Sequence, residues 1–170
     1  MKREDLPHSG FTLFETLLAM TIVSLVSVTS VYILFLSLNL RDLTLTTTKT
    51  EESIRVFNRQ LKAAVIGAQS VTGGSGSIFT RSETECWSFV YDAVSKNVKY
   101  SQIKEGGCTP VPNPSNLFFP SSTKVNSMVF QVSNITTGGR LVGVSGTIQT
   151  TLPFDTYQTT FSESYVNLID

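Results

Sequence analysis

The chain has 170 residues, with 13 basic and 13 acidic side chains and a formal net charge of zero. That length suits one ordinary domain plus an extension, and the balanced charge leaves no basic footprint for nucleic acid. The only histidine is His8 and the two cysteines are Cys86 and Cys108. A Ser-His-Asp or Cys-His site downstream of the N-terminus is therefore excluded, and no CxxC or Cys/His zinc cluster is present.

The first element is a long apolar run. No charged residue occurs from Thr16 to Leu38, and at 1.5 Å per residue a helix of roughly 20 such residues spans a bilayer core. A secretory signal peptide fits poorly. The run is too long for one, and no small-x-small cleavage site follows at Asn39-Leu40-Arg41-Asp42. The small residue, Gly10, comes before the run instead. Lys2 and Arg3 in the leader MKREDLPHSG favour a cytoplasmic N-terminus, so the bulk of the chain is expected to be exported. One charge breaks the pattern: Glu15 follows Gly10 by five residues, at the head of the apolar helix.

Gly10-Phe11-Thr12-Leu13-Phe14-Glu15, followed by an uncharged apolar helix, resembles the cleavage and methylation motif of type IV prepilins and pseudopilins. The resemblance covers roughly the first forty residues. It implies that a membrane peptidase cuts between Gly10 and Phe11 and methylates the new N-terminal Phe11. It also implies a role for Glu15. An intramembrane carboxylate needs a partner, and here that is the α-amine of Phe11, in the same or a neighbouring subunit. Glu15 would then set subunit register in a filament. Position alone also allows Glu15 to snorkel to the headgroups.

No Pro or Gly occurs from Phe11 to Ile66, and Gly67 is the first breaker. Ile54, Phe57, Leu61, Ala64 and Ala68 fall at helical spacing, with Glu51, Glu52, Arg55, Arg59 and Lys62 on the other face. Glu51 and Arg55 stand in the favourable i, i+4 order. One long helix is predicted, apolar all round over 11–40 and amphipathic over 41–69. The β-branched run Leu43–Thr48 is its weak point. RVFNRQLKAAV, within the second half, is similar to the matching part of J-type pseudopilins and minor pilins.

Residues 70–170 are predicted to form an exported β-rich part. Ser70–Ser77, SVTGGSGS, reads as a flexible connection. Cys86–Val94 and Asn97–Lys104 read as strands of a hairpin turning at Ser95-Lys96-Asn97. Cys86 and Cys108 lie equally far from Asn97, so a turn there brings them together as a disulfide in an exported chain. Pro110–Pro120 is a proline-punctuated loop. Ser127–Ile135, Leu141–Leu152 and Tyr157–Val166 are strand-like, with Thr137-Gly138-Gly139-Arg140 as a turn. The expected fold is α+β, a long helix packed on a mostly antiparallel sheet, and the resemblance makes it pilin-like.

No catalytic constellation emerges. Glu83, Glu85 and Asp92 read as a solvated strand edge. Gly73-Gly74-Ser75-Gly76 lacks a phosphate-loop lysine. Asp155, Thr156 and Ser162 are too poor in carboxylates for calcium. Trp87 and Phe118-Phe119 suit the core better than a partner patch. Neither a cofactor nor a metal is expected, and an enzyme is disfavoured.

The resemblance implies a structural subunit, a minor pilin or pseudopilin of a type IV pilus or type II secretion-like filament. Its partners would be the prepilin peptidase, membrane lipid before assembly, an inner-membrane assembly platform and other pilin or pseudopilin subunits. It would sit in the bacterial inner membrane as a single-pass protein, then in a periplasmic or cell-surface filament. The rival reading is a single-pass anchored, extracytoplasmic ligand-binding module that never assembles.

Overall fold

The computed structural model describes residues 12–105, 108–135, 139–152 and 155–167. The chain divides into two compact units, Met1–Leu43 and Thr44–Asp170. The helix α1, Leu13–Ile66, supplies residues to both.

In the first unit every described residue from Thr12 to Leu38 is exposed, including large side chains such as Phe14, Leu25, Ile33 and Phe35. The helix is long and apolar enough to cross a membrane. Several of its hydroxyls turn inward on the backbone. Thr16 donates to Leu13 O at 2.9 Å, Thr21 to Leu18 O at 2.7 Å, Ser27 to Val23 O at 2.7 Å, and Ser30 to Val26 O at 2.8 Å. Such internal bonds let polar side chains lie in hydrocarbon, where no water would satisfy them.

The threonine-rich stretch stays helical. Thr47 and Thr48 both donate to Thr44 O, at 3.0 and 2.8 Å, and Thr50 donates to Thr46 O at 2.9 Å. Bonding to carbonyls three or four residues back is what threonine offers a helix in return for its β-branch.

In the second unit the predicted stripe faces the core. Ile54, Phe57, Leu61, Ala64 and Ala68 are all buried, together with Val65 and Thr50. Phe57 is the hub, with the rings of Phe89, Phe118, Phe119 and Phe161 at 5.1 to 6.2 Å. The charged face is exposed as expected. Among the described residues Glu51 and Arg55 form no ion pair, whereas Lys99 pairs with Asp92 at 2.6 Å. Glu51 instead accepts from the Tyr157 hydroxyl at 3.5 Å.

Among the described residues eight strands follow, and every ladder is antiparallel: β1 (Ser70–Gly74), β2 (Ser77–Arg81), β3 (Cys86–Asp92), β4 (Asn97–Ile103), β5 (Asn116–Leu117), β6 (Thr123–Asn134), β7 (Arg140–Thr151) and β8 (Thr156–Asn167). They form two sheets rather than one, a five-stranded β1-β2-β3-β4-β5 and a three-stranded β6-β7-β8. Tyr91 ties them at the register shift between Val125 and Ser127, its hydroxyl lying 3.1 Å from Val125 O and 2.9 Å from Asn126 O.

SVTGGSGS is not a linker. It forms β1 and the turn into β2, in register with Val71 opposite Thr80 and Gly73 opposite Ile78. Main-chain pairing needs no side chain, and here a side chain is barred: a Cβ on Gly73 would lie 2.5 Å from Ser77 O. β4 starts at Asn97 as predicted, while β3 ends at Asp92, two residues earlier than predicted, with Asp92 opposite Asn97. The Asp92 carboxylate accepts from Val94 N at 2.9 Å, and Lys96 takes a positive φ of 49°, as such turns require.

Candidate functional site

The N-terminal motif is described from Thr12 onward. Gly10 and Phe11, the expected cleavage and methylation positions, lie outside the described residues. Glu15 occupies the first turn of α1, where a carboxylate suits the positive end of the helix dipole. It is exposed. Its Oε2 accepts from Thr12 N at 3.0 Å and from Thr12 Oγ1 at 3.2 Å, while Glu15 N donates to Thr12 Oγ1 at 3.3 Å. Thr12 and Glu15 thus form a capping box, in which each side chain satisfies the other's main-chain donor. The Thr-x-x-Glu spacing announces this in the sequence. It gives Glu15 a local role that neither a distant amine nor snorkelling supplies.

Cys86 and Cys108 are joined, with Cα atoms 6.0 Å apart. The route differs from a symmetric hairpin. Cys86 stands opposite Ile103, so the chain beyond β4 returns to reach it. The bridge pins the start of the proline-punctuated segment, which continues to Phe118 and Phe119. Phe119 is buried, and Phe118 packs partly buried against the core, as does Trp87. None of the three is a free patch.

Two buried asparagines were not foreseeable from spacing. Asn97 Nδ2 donates to Phe119 O at 2.9 Å, and its Oδ1 accepts from Phe119 N at 3.1 Å and Val98 N at 2.8 Å. It ties β4 to the proline-rich segment as a strand's main chain would. Asn167 Nδ2 donates to Val65 O and, at 2.9 Å, to Ala68 O. It holds the exit of α1 in place: Val65 O, in the last turn, also accepts from Ala68 N at 3.2 Å, and Ala68 O lies just beyond the helix.

The acidic residues near β3 do not converge on one point. Glu83 accepts from Gln69 Nε2 at 3.0 Å and Glu85 from Gln102 Nε2 at 2.7 Å. The Lys99 ammonium beside Asp92, helped by Val94 N–H, holds that carboxyl well below the usual carboxylate range. Asp155 accepts from Thr156 N at 2.7 Å. Among the described residues no group of His, Cys, Asp and Glu is arranged to hold a metal ion. Burial, with the Glu163 carboxylate adding to it, pushes the Tyr165 phenol up to about 12. The Tyr165 hydroxyl donates to Asn58 O at 3.3 Å.

No protein-family model matches the chain, and comparison with curated proteins and with solved structures found no match.

Proposed function

We propose that this chain is a structural subunit of a type IV pilin-like filament, a minor pilin or pseudopilin. The observation that carries the reading is Gly10-Phe11-Thr12-Leu13-Phe14-Glu15 at the head of a helix whose first half exposes apolar side chains on all sides. A helix apolar all round needs lipid or other helices around it. A filament core supplies helices, and the membrane supplies lipid beforehand. Cleavage after Gly10 would leave the α-amine of Phe11 next to the Thr12–Glu15 box. A carboxylate accepts about four hydrogen bonds, so the two from Thr12 leave room for an ammonium group from the same or a neighbouring subunit.

The rival is an anchored, extracytoplasmic ligand-binding module that does not assemble. One observation favours it: the Glu15 carboxylate is already engaged by Thr12. Replacing Glu15 with alanine in the native host separates the two. The filament reading predicts loss of the subunit from sheared filaments with membrane levels retained. Unchanged incorporation, or a protein that works without any filament, contradicts it.

A further inference from the structure

The last strand, β8, lies at the edge of its sheet, and among the described residues no strand pairs with its outer side. Alternate residues of such a strand point both N–H and C=O away from the sheet. Natural edges are usually blunted by prolines, bulges, lysines or short length. β8 has none of these: it runs the twelve residues TYQTTFSESYVN, with Glu163 as its one charge. The opposite edge, β6, carries a register shift and Lys124, and packs against the five-stranded sheet.

Beside the open edge runs a groove of about 480 Å³. Asn58, Arg59, Lys62 and Ile66 of α1 form one wall, and β8 from Glu163 to Val166 forms the other. Ile66 is 55% and Val166 48% exposed. Arg59 and Lys62 are exposed and take part in no ion pair among the described residues. The side-chain oxygen of Asn58 is buried without a hydrogen-bond partner.

We propose that this groove receives an extended, acidic segment of another polypeptide, which adds to β8 as a further strand. Main-chain pairing to an open edge beside a helix gives affinity, and side chains facing the helix give selectivity. Arg59 and Lys62 select carboxylates on the incoming strand, and Ile66 with Val166 accepts an apolar residue between them. Two cations against the single carboxylate of Glu163 set the sign of the preferred partner. Neither Glu15 nor cleavage after Gly10 takes part, so a chain that never assembles would still show the binding.

The test uses the full chain in neutral detergent micelles. Two fluorescent twelve-residue probes are compared, one alternating glutamate with valine and threonine, the other with lysine in place of each glutamate. Anisotropy reads affinity, and amide hydrogen exchange reads the site. The acidic probe is expected to bind about 10-fold more tightly than the basic one, and to slow exchange at alternate β8 amides. The double variant Arg59→Glu, Lys62→Glu, both exposed positions, is expected to reverse the preference with unchanged circular dichroism. Equal binding of the two probes, absence of protection in β8, or the same preference in the double variant would overturn the proposal. Concentration-dependent dimerisation that itself protects β8 would also overturn it, by assigning the edge to a second copy.

Discussion

Thr12 and Glu15 exchange hydrogen bonds across the first turn of α1, the carboxylate taking the Thr12 N–H at 3.0 Å and the Thr12 hydroxyl receiving the Glu15 N–H at 3.3 Å. A charge at the head of an apolar helix is therefore tolerated partly because it closes the helix end. Capping and charge are separable. Glutamine keeps the acceptor that the box needs and removes the charge. Thr12→Ala is expected to weaken the helix end by about 1 kcal/mol without blocking assembly. Glu15→Gln is expected to keep helix content by circular dichroism yet fail to enter filaments. A glutamine variant that assembles normally would reduce Glu15 to a cap.

Asn167 and Asn97 join segments far apart in sequence through buried hydrogen bonds. Alanine at either site strands buried carbonyls or N–H groups, each at about 1–3 kcal/mol. Asn167→Ala is expected to loosen the end of α1, seen as faster amide exchange over Ala64–Ala68. Asn97→Ala is expected to loosen the segment at Phe118-Phe119 while sparing the helix end. Uniform exchange changes in both variants would contradict these separate roles.

The Cys86–Cys108 bridge closes a loop with a sequence separation of 22. A loop of that size contributes about 3 kcal/mol by restricting the unfolded chain. The double variant Cys86→Ser, Cys108→Ser is expected to fold with a lower Tm, and reductant is expected to lower wild-type Tm to a similar value. Equal Tm with and without reductant would show that the bridge adds nothing.

Asp92 and Tyr165 contribute to the pH response of the second unit. Asp92 titrates below its ordinary value of 3.8 because of Lys99 and the Val94 N–H. Its contribution is complete above 3.8 and declines as pH falls below that point. Tyr165 titrates at about 12 rather than 10.0, so the unfolded chain ionises first. Stability is then complete below 10.0 and declines as pH rises toward about 12. Asp92→Asn is expected to flatten the acid limb and Tyr165→Phe the alkaline limb of Tm against pH.

The long helix was legible because its two signals persist over many residues: an uncharged run, then an apolar stripe at helical spacing. The three final strands and the β3–β4 hairpin were legible from alternation and turn residues. The β1–β2 hairpin was not, since glycine and serine leave no side-chain pattern while their main chain pairs normally. Thr50, Asn97 and Asn167 were hidden for another reason. Thr50 meets Thr150 at 2.9 Å across 100 residues of sequence, and no local rule marks a buried polar residue whose partner is that distant. The Thr12–Glu15 box was written in the spacing. The groove beside β8 was not, because it exists only once the last strand lies along the helix.

As a filament subunit the chain would be processed before it assembles. The most direct test is the intact mass and N-terminal sequence of the protein taken from its native membrane, in cells with an active prepilin peptidase. A chain beginning at Phe11 and heavier by one methyl group is the expected result. A chain still beginning at Met1 would contradict the filament reading and leave the anchored binding module as the better description.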